Sequence, residues 1–491
     1  MEHQGNPPVA EPPIGLDARG TRTERDGMGT VEVPADRYWG ASTQRAVAHF
    51  AIGDDRMPVE VVRAYGTLKA ACAAVNARAG RLTPELGELL ERVAGEVARG
   101  DLDDHFPLGV YQSGSGTQTN QNVNEVIANR ARQLQGRPLG AAEPADDTAD
   151  RDSTVHPNDH VNLGQSSNDT FITAVHLALH GVVVGHTAPA LERLAGALRD
   201  RSQRWADVVK LGRTHLQDAT PLTVGQEWGA FASSVRDAAT ELRRATDGLL
   251  ELAVGGTAVG TGLNSHDGFG AVVAGEIARR TGHPFVEAED HFAAQSTLDR
   301  VVRVHAALRG AAVAATKVAD DLRWLGSGPR AGLHELVLPA NEPGSSIMPG
   351  KVNPTQCEAL LQVCLRVFGN DVTVAQAAAA GSLQLNTFRP VAAAAALGSA
   401  RLLGDGADRF REHLVEGVEL DRSRIDRYVA DSAMLVTALS PHIGYDRATA
   451  IAHHATEQDL PLRDAAVALG VDPDLFDRVV DPVAMTRPDP A

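Results

Sequence analysis

Between Val224 and Leu249 apolar residues return at alternating steps of four and three: Val224, Trp228, Phe231, Val235, Ala238, Leu242, Ala245 and Leu249. A 3.5-residue repeat held over that distance lays one apolar seam along a single helix, as in bundles and coiled coils. Arg236, Glu241 and Arg243 fall off the seam, and Pro221 upstream suits a helix's first turn. The seam would be about 38 Å long at 1.5 Å per residue. Three further long patterns can partner it. One runs from Asp169–Phe171 toward Trp205 with Pro189 expected to kink or break it, one covers Leu298–Leu325, and one covers Thr355–Ala380. Packed antiparallel, such helices form a bundle core. Only 4% of residues are aromatic against 43% hydrophobic, which favours helix-on-helix packing with small contact residues over a sheet core.

At 491 residues the chain exceeds one ordinary domain, and two or three are expected. The expected division is a disordered tail over residues 1–20, an N-terminal domain over 21–166, a central helical bundle over 167–422 and a small C-terminal domain over 423–491. Pro7, Pro8, Pro12 and Pro13 mark the tail. Val31-Glu-Val-Pro34 reads as a strand, helices follow Met57, and the Pro/Ala/Asp-rich stretch 136–152 reads as an exposed loop.

A formal net charge of −17 repels nucleic acid and anionic membranes, so neither is expected as a partner. An acidic chain that binds an anion must build its positive potential locally. Cys72, Cys357 and Cys364 form no C-x-x-C pair and no disulfide framework; they read as buried small hydrophobes in a reducing compartment. No run resembles a transmembrane helix, a signal peptide or a transit peptide, so the cytoplasm is the expected location.

Four polar, glycine-rich segments interrupt the apolar background: Ser113–Asn120, His156–Asp159 running on to Gln165–Asp169, Gly212–Asp218, and Gly344–Asn353. Each alone is best read as helix capping. Four together read as a receptor for carboxylates, built from backbone N–H groups, hydroxyls and amides at helix ends and loops. Three other patterns lead nowhere. Gly344–Lys351 has five residues between its glycines and Val352 where a phosphate loop needs Ser or Thr. Gly255–Gly262 lacks dinucleotide-turn spacing. His156 and His160 enclose Pro157, and no Glu follows the first His. No metal and no cofactor is expected.

Gly344-Ser-Ser-Ile-Met-Pro-Gly-Lys-Val-Asn-Pro-Thr-Gln-Cys-Glu358 resembles the signature loop of the fumarase/aspartase superfamily. The resemblance continues through Val33–Gly40, Gly255–Asn264, Gly326–Arg330 and Thr437–Tyr445, and covers nearly everything from Thr21 to Met485. His215 in Gly-Arg-Thr-His-Leu-Gln-Asp resembles class II fumarases, where ammonia-lyases carry glutamine. Ser113-Gly-Ser-Gly-Thr-Gln also matches the fumarase version, whereas Gln384 stands where fumarases commonly show glutamate. The resemblance implies an all-α, three-domain fold around a central long-helix bundle. It implies a homotetramer whose active sites draw on several chains, and reversible hydration of fumarate to (S)-malate without metal.

Roles follow residue by residue from the same resemblance. Ser345 is the expected base on its loop. His215, oriented by Glu358, is expected to handle water on the opposite face. Ser346, Lys351, Val352 and Asn353 would grip one carboxylate, and Ser115, Gly116, Thr117, Thr214, Ser166, Ser167 and Asn168 would complete the pocket. His156, Pro157, Asn158 and Asp159 correspond to an accessory dicarboxylate site. There His160, Leu163 and Gly164 depart from the family pattern, and Ser153 replaces an arginine. The accessory site should therefore be weakened, unless Arg151 folds back. Two alternatives stand beside fumarase: another lyase of the superfamily, such as an aspartate ammonia-lyase, and a non-catalytic helical oligomer.

Overall fold

The computed structural model describes residues 12–140 and 154–488. An antiparallel hairpin, β1 (Thr21–Asp26) and β2 (Gly29–Pro34), opens it. Helices α1 (Ala41–His49), α2 (Val59–Arg78), α3 (Pro84–Arg99), α4 (Thr117–Leu134), α5 (Ser167–Val182) and α6 (Ala188–Arg204) follow. A second hairpin, β3 (Val209–Thr214) and β4 (Gln217–Thr223), leads into α7 (Val224–Ala245). Beyond it come β5 (Glu251–Leu252), α8 (Phe269–Thr281), β6 (Val286–Glu287), α9 (His291–Ser296), α10 (Asp299–Leu325), β7 (Leu336–Val337), α11 (Thr355–Ala379) and α12 (Arg389–Phe410). The chain closes with β8 (Glu419–Leu420) and five short helices, α13 (Arg422–Asp431), α14 (Ser440–Ile443), α15 (Tyr445–Glu457), α16 (Leu462–Ala468) and α17 (Pro473–Val479).

By contact the chain forms two compact units. The first takes Met1–His186, Leu242–Arg309 and Val367–Arg401; the second takes Thr187–Glu241, Gly310–Arg366 and Leu402–Ala491. The expected boundaries at 166/167 and 422/423 follow chain order, whereas these units follow contact, and the long helices α7, α10, α11 and α12 each contribute to both.

In the first unit α2 and α3 pack closely because each offers a glycine to the other. A Cβ on Gly66 would meet Ala98 N at 2.3 Å, and one on Gly87 would meet the Ala77 Cβ at 2.4 Å. Thr83 starts α3 by accepting from Leu86 N–H, with Pro84 at the first position, and Gly100 ends it at φ 84°. Deeper in this unit His305, fully buried, lies 3.0 Å from the Asp371 carboxylate and 3.0 Å from the Ser399 hydroxyl, tying α10, α11 and α12. Burial lowers its pKa. In the second unit Trp228 packs edge-on against Trp205 at 4.9 Å, and Leu435, Leu439, Ile451, Leu462, Ala465 and Phe476 make a small core under the C-terminal helices.

The seam of α7 is buried at Val224, Trp228, Phe231, Val235, Leu242 and Leu249, but Ala238 and Ala245 are only half-buried. The helix begins at Val224, where the seam does, but Pro221 is not in its first turn: it lies in β4. Its last seam residue, Leu249, falls in a 3₁₀ turn. The Pro189 expectation has a specific outcome. A π-helical turn, Val183–Thr187, joins α5 to α6 just before Pro189, which sits in the first turn of α6, so the helix is carried past the proline rather than broken by it. The joined helix, 167–204, is the one described element long and apolar enough to cross a membrane. No such run was expected from the sequence, but 72% of its apolar window is buried inside the fold, as in a core helix. Of the expected tail and the 136–152 loop, residues 1–11 and 141–153, with Arg151 and Ser153, lie outside the described residues. From Pro12 onward the tail is anchored: Gly15 N–H donates to the Tyr38 hydroxyl at 3.0 Å, and Arg130 donates to the Pro12 and Pro13 carbonyls. All three cysteines are buried. Burial pushes the Cys72 and Cys357 thiols up to about 12 and raises that of Cys364.

Gly66→Ala is expected to destabilise the fold by about 1–3 kcal/mol through overpacking. The measurement is the urea or thermal midpoint, and an unchanged midpoint would show that α2 and α3 yield freely at this contact.

Candidate active site

Two groups of polar residues are formed, one in each unit. In the first, α4 and α5 begin beside each other. Gly116, at φ 76°, turns the chain into α4, and a Cβ there would lie 2.0 Å from the Phe171 ring of α5. A Cβ on Gly114 would lie 1.4 Å from the Thr387 carbonyl. The segment can therefore press onto its neighbours only with glycine at both places. Ser166 caps α5 by accepting from Asn168 N–H, while Asp169 accepts from Ser166 N–H at 2.9 Å, a reciprocal capping box.

Between the two helix starts runs a chain of hydroxyls. Ser113 and Ser115 are 3.1 Å apart, Ser115 and Thr117 2.8 Å, and Thr117 and Ser167 2.8 Å. Hydroxyls gathered where two helices present free N–H groups and positive dipole ends suit an anion. Asn168 is tied back by its side-chain amide, which donates to the Ala258 carbonyl at 2.8 Å.

Three ionisable residues lie under this surface; Asp169 ends one of the polar segments read from the sequence, and the other two were not singled out there. Asp169 is fully buried, and its second oxygen accepts from Gly255 N–H and Thr257 N–H at 3.0 and 3.1 Å; burial pushes its carboxyl up to about 6. Arg389 donates to the Asn168 carbonyl at 2.7 Å and to that of Gln295, and desolvation brings it down to about 10. The Lys69 ammonium donates to Asn162 Oδ1 and Gln165 Oε1 at 2.9 Å each, and desolvation brings it down to about 7. The available signal was a lone cation inside an apolar stretch, as in Leu68-Lys-Ala-Ala-Cys72 and Arg389-Pro-Val-Ala-Ala393.

His156 begins the π-helical turn Pro157–Val161, its ring Nδ1 accepting from Asn158 and Asp159 N–H. Desolvation lowers its pKa. His160, one of the departures from the family pattern, accepts from His156 N–H through Nδ1 at 2.9 Å. A cavity of about 140 Å³ here is lined by His156, Pro157 and Asn158 together with Arg132, Glu125 and Asp26. Arg132 was missed because it lies far away in sequence, on α4; its Nε donates to the Val155 carbonyl at 2.9 Å.

In the second unit the β3–β4 hairpin pairs Thr214 with Gln217, so His215 and Leu216 form its two-residue turn, and all four are exposed. The Gly344–Asn353 loop folds on itself. The Ser345 hydroxyl accepts from Ile347 and Met348 N–H at 3.2 and 3.0 Å, and the Asn353 side chain donates to the Gly344 carbonyl. A Cβ on Gly344 would lie 1.8 Å from the Lys351 carbonyl, so the two ends of the loop meet only because residue 344 is glycine. Ser346, Lys351 and Val352 are exposed around it.

The structure thus joins Ser115, Thr117, Ser166 and Ser167 in one group and Ser345 with Asn353 in another. The expected pairing of His215 with Glu358 is not formed within this chain. Glu358 is exposed on the first turn of α11 and shares no hydrogen bond with the hairpin tip. Among the described residues no group of three or more His, Cys, Asp or Glu side chains is arranged to hold a metal ion.

Residues 29–369 match the family model described as Lyase, and residues 435–487 match that of the fumarase C C-terminus. Fumarate hydratase class II from Methanosarcina acetivorans is 55% identical over 98% of this chain and 97% of its own length. That from Thermus aquaticus is 50% identical over 95% of this chain and 98% of its own. Among solved structures, the class II fumarase of Schistosoma mansoni superposes with a TM-score of 0.90 at 39% identity, covering 95% of this chain and 99% of that one. The chain belongs to this lyase family, in its class II fumarate hydratase branch.

Gly344→Ala is expected to open the 344–353 loop without unfolding the protein, since the loop is exposed and contributes little packing. Limited proteolysis should then cut within the loop while the thermal midpoint barely moves. A loop as resistant as in the unmodified chain would show that the close approach at Gly344 does not hold it shut.

Proposed function

We propose that this chain catalyses the reversible hydration of fumarate to (S)-malate, by anti addition and elimination of water through an aci-carboxylate intermediate. The observation that carries this reading is the near end-to-end similarity to proteins named fumarate hydratase class II. Removing the weakly acidic proton next to a carboxylate needs a base on one face, an acid on the other and donors aimed at the charged oxygens. Ser345 is the proposed base. Its oxygen already receives two backbone N–H groups, which favour the ionised hydroxyl, and Lys351 on the same loop adds positive charge.

His215, made more basic by Glu358, handles water or hydroxide on the opposite face. Ser346, Lys351, Val352 and Asn353 hold one carboxylate. The hydroxyls of Ser115, Thr117, Ser166 and Ser167, with Gly116, Asn168 and Thr214, hold the rest of the dianion. The chemistry adds or removes a proton at one carbon and hydroxide at its neighbour, with no net change of oxidation state, and needs no redox cofactor. The accessory dicarboxylate site at His156, Pro157, Asn158 and Asp159 is proposed to be weakened, and the cytoplasm is the proposed place of work.

The working form is proposed to be a homotetramer with dihedral symmetry and shared active sites. Half-buried Ala238 and Ala245 on the α7 seam support it, because small residues let helices of different subunits approach closely. The unformed His215–Glu358 pair supports it too, since the missing partner can come from another chain. Exposed Gln384 and the His160–Gly164 departures keep ammonia release as a second reading.

Malate should yield fumarate, followed by ultraviolet absorbance, and aspartate should not; turnover of aspartate alone would reverse the assignment. Ser345→Ala is expected to lower turnover about 10²–10⁴-fold, as for loss of a general base, with the melting temperature unchanged. Parallel loss of fold and activity would make Ser345 structural. His215→Asn and Ser345→Ala chains, each strongly impaired alone, should regain activity in mixed tetramers after being unfolded and reassembled together. No gain from properly mixed tetramers, or an active monomer by light scattering, would end the shared-site idea.

A further inference from the structure

His215 and Leu216 stand side by side in the left-handed backbone region, with φ of 57° and 61°. A two-residue hairpin turn asks for positive φ at both central positions, a geometry normally filled by Asn-Gly or Asp-Gly. Histidine and leucine are strained there, and such strain persists only where the surroundings over-determine it. The tip itself, Thr214–Asp218, is exposed. What holds the turn therefore lies at its base.

The base is a chain of four charges whose two central members, Lys210 and Glu335, are buried. Lys210 on β3, 2% exposed, places its ammonium 2.7 and 2.9 Å from the two oxygens of Glu227 on α7 and 2.7 Å from Oε2 of Glu335. The other oxygen of Glu335 accepts from Arg213 at 2.5 Å. The Arg213 guanidinium lies over the Tyr428 ring at 5.2 Å, and the Tyr428 hydroxyl donates to the Leu333 carbonyl at 3.0 Å. Between Lys210 and Arg213 the β3–β4 ladder shifts register. Gly212 allows this, since a Cβ there would meet the Thr220 carbonyl at 2.5 Å.

Two cations and two carboxylates balance; the two buried charges, Lys210 and Glu335, pair with each other, while Glu227 and Arg213 at the ends are only half-buried. An apolar cluster of the same volume would serve stability as well. What the ionic chain adds is direction: it holds a residue two positions before His215 through one guanidinium–carboxylate hydrogen bond, with the guanidinium stacked on the Tyr428 ring. We propose that Glu335, acting through Arg213 and Lys210, is a positioning residue that fixes the aim of His215. This rests on the reading of His215 as the group that handles water.

The test is a double-mutant cycle in the full-length enzyme. Arg213→Gln leaves Glu335 paired with Lys210, so the fold should hold; Glu335→Gln is the second variant, and if it does not fold, Arg213→Gln decides. Each is expected to lower kcat about 100-fold, the cost of a misplacement near 1 Å, with KM little changed. In a His215→Asn background neither should cost more than about twofold further, because residues that act as one unit are not additive. A purely structural role would instead lower the fraction of folded enzyme and multiply through the cycle. That multiplication, or an unchanged kcat in Arg213→Gln, would overturn the proposal. Wild-type turnover by His215→Asn alone would overturn the reading of His215, and the positioning role with it.

Discussion

A helix of more than twenty residues with one apolar face must find cover along its whole length, and the rest of this structure follows from that. The 22 residues of α7 and the 27 of α10 leave little room for polar chemistry along their middles. Glycine-rich turns and hydroxyls are displaced to the helix ends, where unpaired backbone N–H groups already wait for an acceptor. The starts of α4 and α5, the hairpin before α7 and the loop before α11 are all such places. The same constraint explains why glycine recurs there. Gly114, Gly116 and Gly344 each stand where a Cβ would overlap a neighbouring atom.

The electrostatics answer a problem that the composition poses. A chain of net charge −17 gives a dianion no general welcome. Beneath the hydroxyls of the first unit, however, Lys69 and Arg389 are almost fully buried, and their direct hydrogen-bond acceptors are neutral amides and carbonyls. Desolvation disfavours both charges. A nearby anion would offset that cost in a way that solvent at the surface cannot. Asp169 supplies part of the balance while its oxygens are occupied by backbone N–H groups.

Long periodic elements were legible in the sequence; short-range geometry was not. Expected helices at Leu298–Leu325 and Thr355–Ala380 appear as Asp299–Leu325 and Thr355–Ala379, because periodicity accumulates over many turns. Pro221 misled because a proline before an apolar run also fits the end of a strand. The helix Arg389–Phe410 went unmarked, its alanine run offering no contrast between faces. The loop residues Ser345 and Asn353 and the hydroxyls Ser115, Thr117 and Ser167 were found from motif. Lys69, Arg389 and Glu335 were not, because their importance lies in burial and in partners distant along the chain. The His215 turn carries a further lesson: no periodicity announces a strained φ.

The burial of Cys72, Cys357 and Cys364 bears on where such a protein can survive. With burial pushing their thiols up to about 12, Cys72 and Cys357 stay protonated at neutral pH. Peroxides and electrophiles attack the thiolate, so neither residue readily enters the ladder from sulfenic to sulfonic acid. Cysteines buried this way need no thiol reductant to stay in repair.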